Sequence, residues 1–391
     1  MNNDVTLGCC GNHALLPGSI LLFLLMIISG CVTEFIPEIE EEQELLVVEG
    51  IITDQPGINT IKLSKSLPLG EKSEARPVSG CTVVISDNLG NIYRLNEEEA
   101  GTYVTDPENF KGETGRLYTL QIGTDAGNNY RNYRSFQMEM KPVPPIDSLY
   151  YEKKLIRERV EHIEGIEECQ IYLDTHDPEN DCRFYRWDYK ETWRIRLPFD
   201  IPNQTCWVYN NSKSIYIEST ATISEDRIGR HPVTYISNAT DRLKRQYSIL
   251  VNQYSLNEDE YNYWKKIQKI TDEVGGLYDI IPASIPSNIM CIENPNEIVL
   301  GYFSVSAVAS KRIFIKDQFE GIFNPYADCI TDTLLGGPDY IEGLGVTIWT
   351  LFDIPAAPFR SPRIRIFTET RGCADCTERG TTIKPEFWIE E

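Results

Sequence analysis

Between Cys182 and Leu197 the chain reads CRFYRWDYKETWRIRL, with Tyr185, Trp187, Tyr189 and Trp193 all on alternate positions. Period two puts these four aromatic side chains on one face of an extended strand, whereas a helix would scatter them around its axis. The same cadence runs through the first third of the chain. LLVVEGIIT (45–53), NTIKLSKS (59–66), CTVVISDNLGNIYRL (81–95), GTYVT (101–105), GRLYTLQIGT (115–124) and NYRNYRSFQME (129–139) are short β-rich runs. Turn formers separate them, among them Asp54-Gln55-Pro56-Gly57 and Asp125-Ala126-Gly127-Asn128. About seven strands with turns every ten residues or so predict an immunoglobulin-like β-sandwich over 45–140.

KPVPPIDSL (141–149) carries three prolines in four positions, and a Pro-rich linker over 141–148 is the natural domain boundary. Beyond it the chain stays mainly β, so 149–391 is expected to form a larger β-rich domain. CQIYLDT (169–175), KSIYIEST (213–220) and KRQYSILVNQYS (244–255) are further strands, and EIVLGYFSVSAV (297–308) with KRIFIKD (311–317) read as a paired hairpin. One helix is expected at 257–274. Ser255-Leu256-Asn257-Glu258 has the form of a capping box, and Tyr261, Trp264, Ile267, Ile270 and Val274 make one apolar stripe before Gly275-Gly276. For Tyr185, Trp187, Tyr189 and Trp193 the first expectation is packing between sheets. The alternative is a face on which a ligand stacks.

The N-terminus is of another kind. SILLFLLMII (19–28) is almost unbroken hydrocarbon, too short to span a bilayer and the right length for the apolar part of a signal peptide. Ile28-Ser29-Gly30-Cys31 follows, which resembles the lipobox of bacterial lipoproteins. That resemblance implies cleavage between Gly30 and Cys31 and acylation of Cys31, with 1–30 as the signal peptide. The alternative is an ordinary cleaved leader before a structural cysteine. Residues 1–18 lack the Lys or Arg that such leaders usually carry. Residues 31–44 are polar, acidic and carry Pro37, and are expected to act as a tether.

The 391 residues contain 37 basic and 59 acidic side chains, a net charge of −22, and loss of 1–30 would remove only one acid. Such a charge repels phosphate backbones, so nucleic acid is not an expected partner. Eight cysteines follow Cys31: Cys81, Cys169, Cys182, Cys206, Cys291, Cys329, Cys373 and Cys376. An even number in an exported chain predicts disulfides with connectivity left open. Cys373 and Cys376 have CxxC spacing, but there is no second CxxC for a four-sulfur metal site and no helical pattern after the motif as redox dithiols have. Within DTHDPENDC, Asp174, Asp177 and Asp181 are a weak oxygen-ligand candidate for calcium without the order of an EF-hand loop. No other metal and no cofactor is implied. The sequence holds none of the common nucleophile, zinc or nucleotide motifs, and His162, His176 and His231 are the histidines left after processing.

Longer stretches have a family likeness. LVVEGIITDQPG, the PVSG before Cys81, KPVPPIDSLYYE, YSILVNQYSLNEDEYNYWKKIQKITDEVGGLYD, IPSNIMCIENPNEIVLGYFSVSAVASKRIFI and the closing KPEFW together resemble an outer-membrane lipoprotein family of Bacteroidota that carries a domain of unknown function (DUF4249). Members are typically encoded beside TonB-dependent receptors. The resemblance therefore implies a lipid-anchored accessory of a nutrient-uptake system, with the outer membrane, a β-barrel transporter and a small nutrient, glycan or peptide as partners. It implies no catalytic residue. Glu34, Glu38, Glu40, Glu41 and Glu42 behind Cys31 favour the cell surface over the periplasmic face. Two other functions stay open: a stand-alone surface glycan- or peptide-binding protein, and a surface hydrolase using His176 or His231.

Overall fold

A computed structural model describes residues 44–66, 76–126, 129–273, 285, 287–335, 349–354 and 364–389. The signal peptide, Gly30, Cys31 and almost the whole expected tether lie outside the described residues. The expected mainly β architecture is what the chain adopts, with five sheets and one long helix among those residues.

Two six-stranded sheets share the first core. One runs Val299–Ser306, Leu46–Thr53, Thr60–Lys65, Thr102–Val104 and Asn96–Glu99, with Arg76–Pro77 also beside Thr60–Lys65. The other runs Ile289–Cys291, Asn129–Ser135, Leu117–Ala126, Thr82–Asp87 and Ile92–Arg94, with Met138–Glu139 also beside Leu117–Ala126. Alternate side chains point inward, and Val48, Ile61, Leu63, Ile85, Leu120 and Phe303 meet between the sheets, fully buried.

The immunoglobulin-like sandwich expected from 45–140 is therefore not self-contained. Each sheet takes its outermost strand from 289–306, which the sequence placed in the second domain. Leu46–Thr53 pairs in parallel with Val299–Ser306, from Leu46 opposite Val299 to Thr53 opposite Ser306. Gly301 permits this close approach. Its φ is +84°, and a Cβ there would lie 2.0 Å from the Val48 carbonyl oxygen.

A three-stranded sheet (Ile146–Arg157, Ile166–Asp177, Asp226–Ile236) and a five-stranded one bury the second core. The five-stranded sheet orders Thr205–Asn211, Phe184–Arg196, Tyr247–Ser255 and Val308–Ile315, with Tyr216–Ser219 on Phe184–Arg196. Asp332–Leu335, Ile364–Thr368 and Trp349–Ile354 form a small fifth sheet. The expected 297–317 hairpin does not form: its first half joins the first core and its second half pairs with Tyr247–Ser255. Nor is 141–148 a free linker. Gln253 donates to the Pro144 carbonyl at 2.8 Å, Ser255 donates to that of Lys141 at 2.7 Å, and Ile146 already begins a strand.

The helix spans Glu258–Glu273. Ser255 does not cap it, because its hydroxyl is engaged by Lys141 and by the Ala307 amide. Instead the helix start and its surroundings satisfy the outward backbone edge of Val299–Ser306, whose unpaired amides would otherwise be exposed. The Asn288 side chain bonds both N and O of Phe303, at 3.0 and 2.8 Å, and the buried Glu260 carboxylate lies close to the Val305 amide. No helix among the described residues is long and apolar enough to cross a membrane.

Candidate functional site

Of the helix stripe, Tyr261, Trp264, Ile267 and Ile270 are half-buried and lie outside both cores, and Val274 lies outside the described residues. Trp264 and Tyr254 hold the Arg186 guanidinium between their rings, each with its centroid 4.7 Å from the guanidinium carbon. Period two explains the choice of Arg186: it alternates with Tyr185 and Trp187, so it projects from the opposite face of the strand, under the helix. One turn before Trp264, Glu260 is completely buried, with its carboxylate 3.4 Å from the Trp264 indole nitrogen and close to Ser304. Burial raises its pKa to about 7, because removing a carboxylate from water disfavours the charged form. Tyr263 packs against Tyr302 with ring centroids 4.6 Å apart and planes tilted by 35°.

Two hollows open on either side of this Tyr263–Tyr302 pair. One, of about 940 Å³, is bordered by Phe136, Asp259, Asn262, Lys266 and Ser287; the other, of about 400 Å³, by Lys62, Arg186, Trp264, Gly301 and Ser304. Tyr263 and Tyr302 line both. Three buried polar atoms here have no hydrogen-bond partner among the described residues: Arg186 Nε, Glu260 Oε2 and Tyr302 Oη. Such atoms are costly unless something meets them, on the order of 1–3 kcal/mol each. The cleft offers ring faces for stacking, a fixed guanidinium and buried polar atoms for orientation. Neither hollow is lined by a histidine or a cysteine among the described residues; both are concave, with aromatic walls and a few polar groups.

A family model described as a domain of unknown function (DUF4249) matches residues 32–312, which takes in every residue of this cleft. The chain belongs to the DUF4249 family. No curated protein matches it.

Other sequence candidates in this DUF4249 chain are placed differently. Tyr185, Trp187, Tyr189 and Trp193 are buried in the second core and present no stacking face. Tyr185 donates to Asp226 and Trp187 to Gln253, both at 2.9 Å, so their polar ends are already used. Asp174, Asp177 and Asp181 do not converge on a cation. Asp177 accepts from the amides of Glu179, Asp181 and Cys182, while Asp174 is taken by Ser148 and the Arg230 amide. Among the described residues no cluster of metal-ligating side chains forms.

Four of the eight cysteines pair, as Cys206–Cys376 and Cys329–Cys373. The two cysteines of the CxxC therefore bond to distant partners and not to each other. The expectation that Cys81, Cys169, Cys182 and Cys291 also pair is corrected, since all four are thiols. Cys81 and Cys182 lie against the carbonyls of Val78 and Phe184, Cys291 lies against Arg131 and Glu293, and Cys169 is core. Burial pushes the thiols of Cys169 and Cys182 up to about 12, which makes them unreactive.

The histidines do not meet either hollow. His176 Nδ1 pairs with Asp147 at 2.6 Å on the surface, and His162 occupies a left-handed turn position at φ 66°. His231 lies over Trp187 at 4.3 Å, where burial lowers its pKa to about 4. Sequence reasoning missed Arg186, Glu260 and Tyr302. Arg186 carries the one local signal, as the cation set between two aromatics of an alternating strand; Glu260 and Tyr302 become site residues only when helix and edge strand meet.

Proposed function

We propose that this protein is a non-catalytic, lipid-anchored binding component of an outer-membrane nutrient-uptake system, holding its ligand in the cleft between Glu258–Glu273 and Val299–Ser306. The observation that carries the reading is the set of unpartnered buried atoms on Arg186, Glu260 and Tyr302 beside two open, aromatic-lined hollows. The Bacteroidota and TonB-dependent context, the acyl anchor at Cys31 and the surface location rest on the sequence resemblance. Two or more acyl chains would hold the body at the membrane, since one gives only marginal attachment. Tethering would raise the effective concentration of the binding face beside a transporter.

Affinity purification of the tagged protein in mild detergent is expected to recover a β-barrel transporter, and recovery without one would overturn the transporter half of the proposal. Cys31→Ser should move the protein out of the membrane fraction; persistent detergent-dependent attachment would overturn the anchor. For the stand-alone glycan- or peptide-binding alternative, a ligand would raise the Tm of the wild type but not of Arg186→Gln, with no transporter recovered. The hydrolase alternative draws on the His176–Asp147 pair, which is exposed and whose histidine has no serine or cysteine bonded to it among the described residues.

A further inference from the structure

A third hollow, of about 160 Å³, lies on the same face of the five-stranded sheet as Arg186 but at the other end of the strand, where Phe184–Arg196 ends beside the turn that leads into Tyr247–Ser255. Arg194 and Arg196 alternate with the buried Trp193 and Ile195, so both project to its outer face. A turn closed by the Lys244 amide on the Asp241 carbonyl, 3.0 Å, adds Lys244 and Arg245. Pro325 and Tyr326 form the opposite wall.

Two features make this more than a chance run of cations. Asp241, the acid that lines the hollow, is already engaged by Arg379 through two bonds of 2.8 and 2.9 Å, and nearby Arg242 is matched by buried Glu191. Local negative charge is thus used up. Arg196, Lys244 and Arg245 make no ion pair or side-chain hydrogen bond among the described residues, although the chain has 59 acids to 37 bases. Like charges gathered in one hollow repel, and in so acidic a molecule nearby carboxylates are the ordinary remedy. The wall is also rigid. Cys329–Cys373 ties down the loop carrying Pro325 and Tyr326, Cys206–Cys376 anchors the segment carrying Arg379, and Arg379 bonds the Tyr326 hydroxyl at 3.1 Å.

We infer that this disulfide-braced hollow binds a phosphate-type dianion, held by Arg196, Lys244 and Arg245. Two guanidinium forks and an ammonium match a tetrahedral dianion in charge and in donor number. The volume admits one such group with its waters, and the charge of −22 on the whole chain turns away an extended polyanion. The same chemistry is offered by free phosphate and by a phosphomonoester lipid headgroup.

Calorimetric titration of the full chain with inorganic phosphate, and cosedimentation of the Cys31→Ser chain with phosphatidylcholine vesicles with and without phosphatidic acid, test the inference and separate the two sources. Phosphate binding identifies the free ion as sufficient; enhanced sedimentation with phosphatidic acid, without phosphate binding, identifies the headgroup. In either arm the Arg196→Gln/Arg245→Gln double variant should bind about tenfold or more weakly, as expected for lost charged hydrogen bonds, with the Lys111→Gln control unchanged. An unaltered melting curve confirms that the double variant is folded. Absence of binding in both arms, or equal binding by the double variant, overturns the inference.

Discussion

Two buried titratable residues pull the stability of this protein in opposite directions. Glu260 has a folded pKa of about 7 against an ordinary 4.5, so the folded state holds its proton more tightly, and its contribution falls as pH rises from 4.5 to 7. His231 has a folded pKa of about 4 against 6.5, so the unfolded state takes the proton first, and its contribution rises between pH 4 and 6.5. Over their common window the two nearly cancel. Urea midpoints across that range should therefore show a steeper rise with pH in Glu260→Gln than in wild type, and a steeper fall in His231→Phe. Each difference should reach about 2–3 kcal/mol across its window. Parallel curves for wild type and both variants would show that neither group titrates as its burial demands. Sequence could not assign either role: both residues sit in polar stretches, and their burial comes from elements far away in the chain.

At the scale of elements, the local patterns read well and their pairings did not. The helix was legible because its apolar positions recur every three to four residues, and the strands because theirs recur every two. Which strand lies beside which depends on matching two backbones far apart in sequence, and period carries no information about the partner. Gly301 shows the consequence. Within LGYF it looks like a weak point in a strand, yet its positive φ and the nearby Val48 carbonyl make it a requirement of the parallel pairing. Gly301→Ala should cost about 2–3 kcal/mol in urea unfolding, and a cost below about 0.5 kcal/mol would refute that role. The disulfides act on the C-terminal segment in the same way. Cys206→Ser/Cys376→Ser removes a link across 170 residues and should cost about 2–5 kcal/mol, read as a lower urea midpoint under non-reducing conditions.

For the whole molecule, the chain is interleaved instead of laid out domain after domain. Residues 44–391 form one compact unit by their contacts, and 289–306 cross back from the second half to close the first core. A fragment of 44–148 would lack the outer strand of both sheets and expose the row of unpaired groups beside Leu46–Thr53. It should show no cooperative thermal transition by circular dichroism, while the chain with 289–306 in place does; a sharp transition in the fragment would mean the sandwich stands alone. The candidate site follows from the same interleaving, since Arg186, Glu260 and Tyr302 belong to three segments that only this crossing brings together. By itself the sequence determined the β class, the start of the one long helix among the described residues to within a residue, the excess of acid and the family, because periodicity, charge and motif are properties of contiguous residues. Only the tertiary structure decided the strand partners, which cysteines bond, and where unpaired cations and buried polar atoms gather. Those depend on distances between residues a hundred or more positions apart, which are set when the cores close.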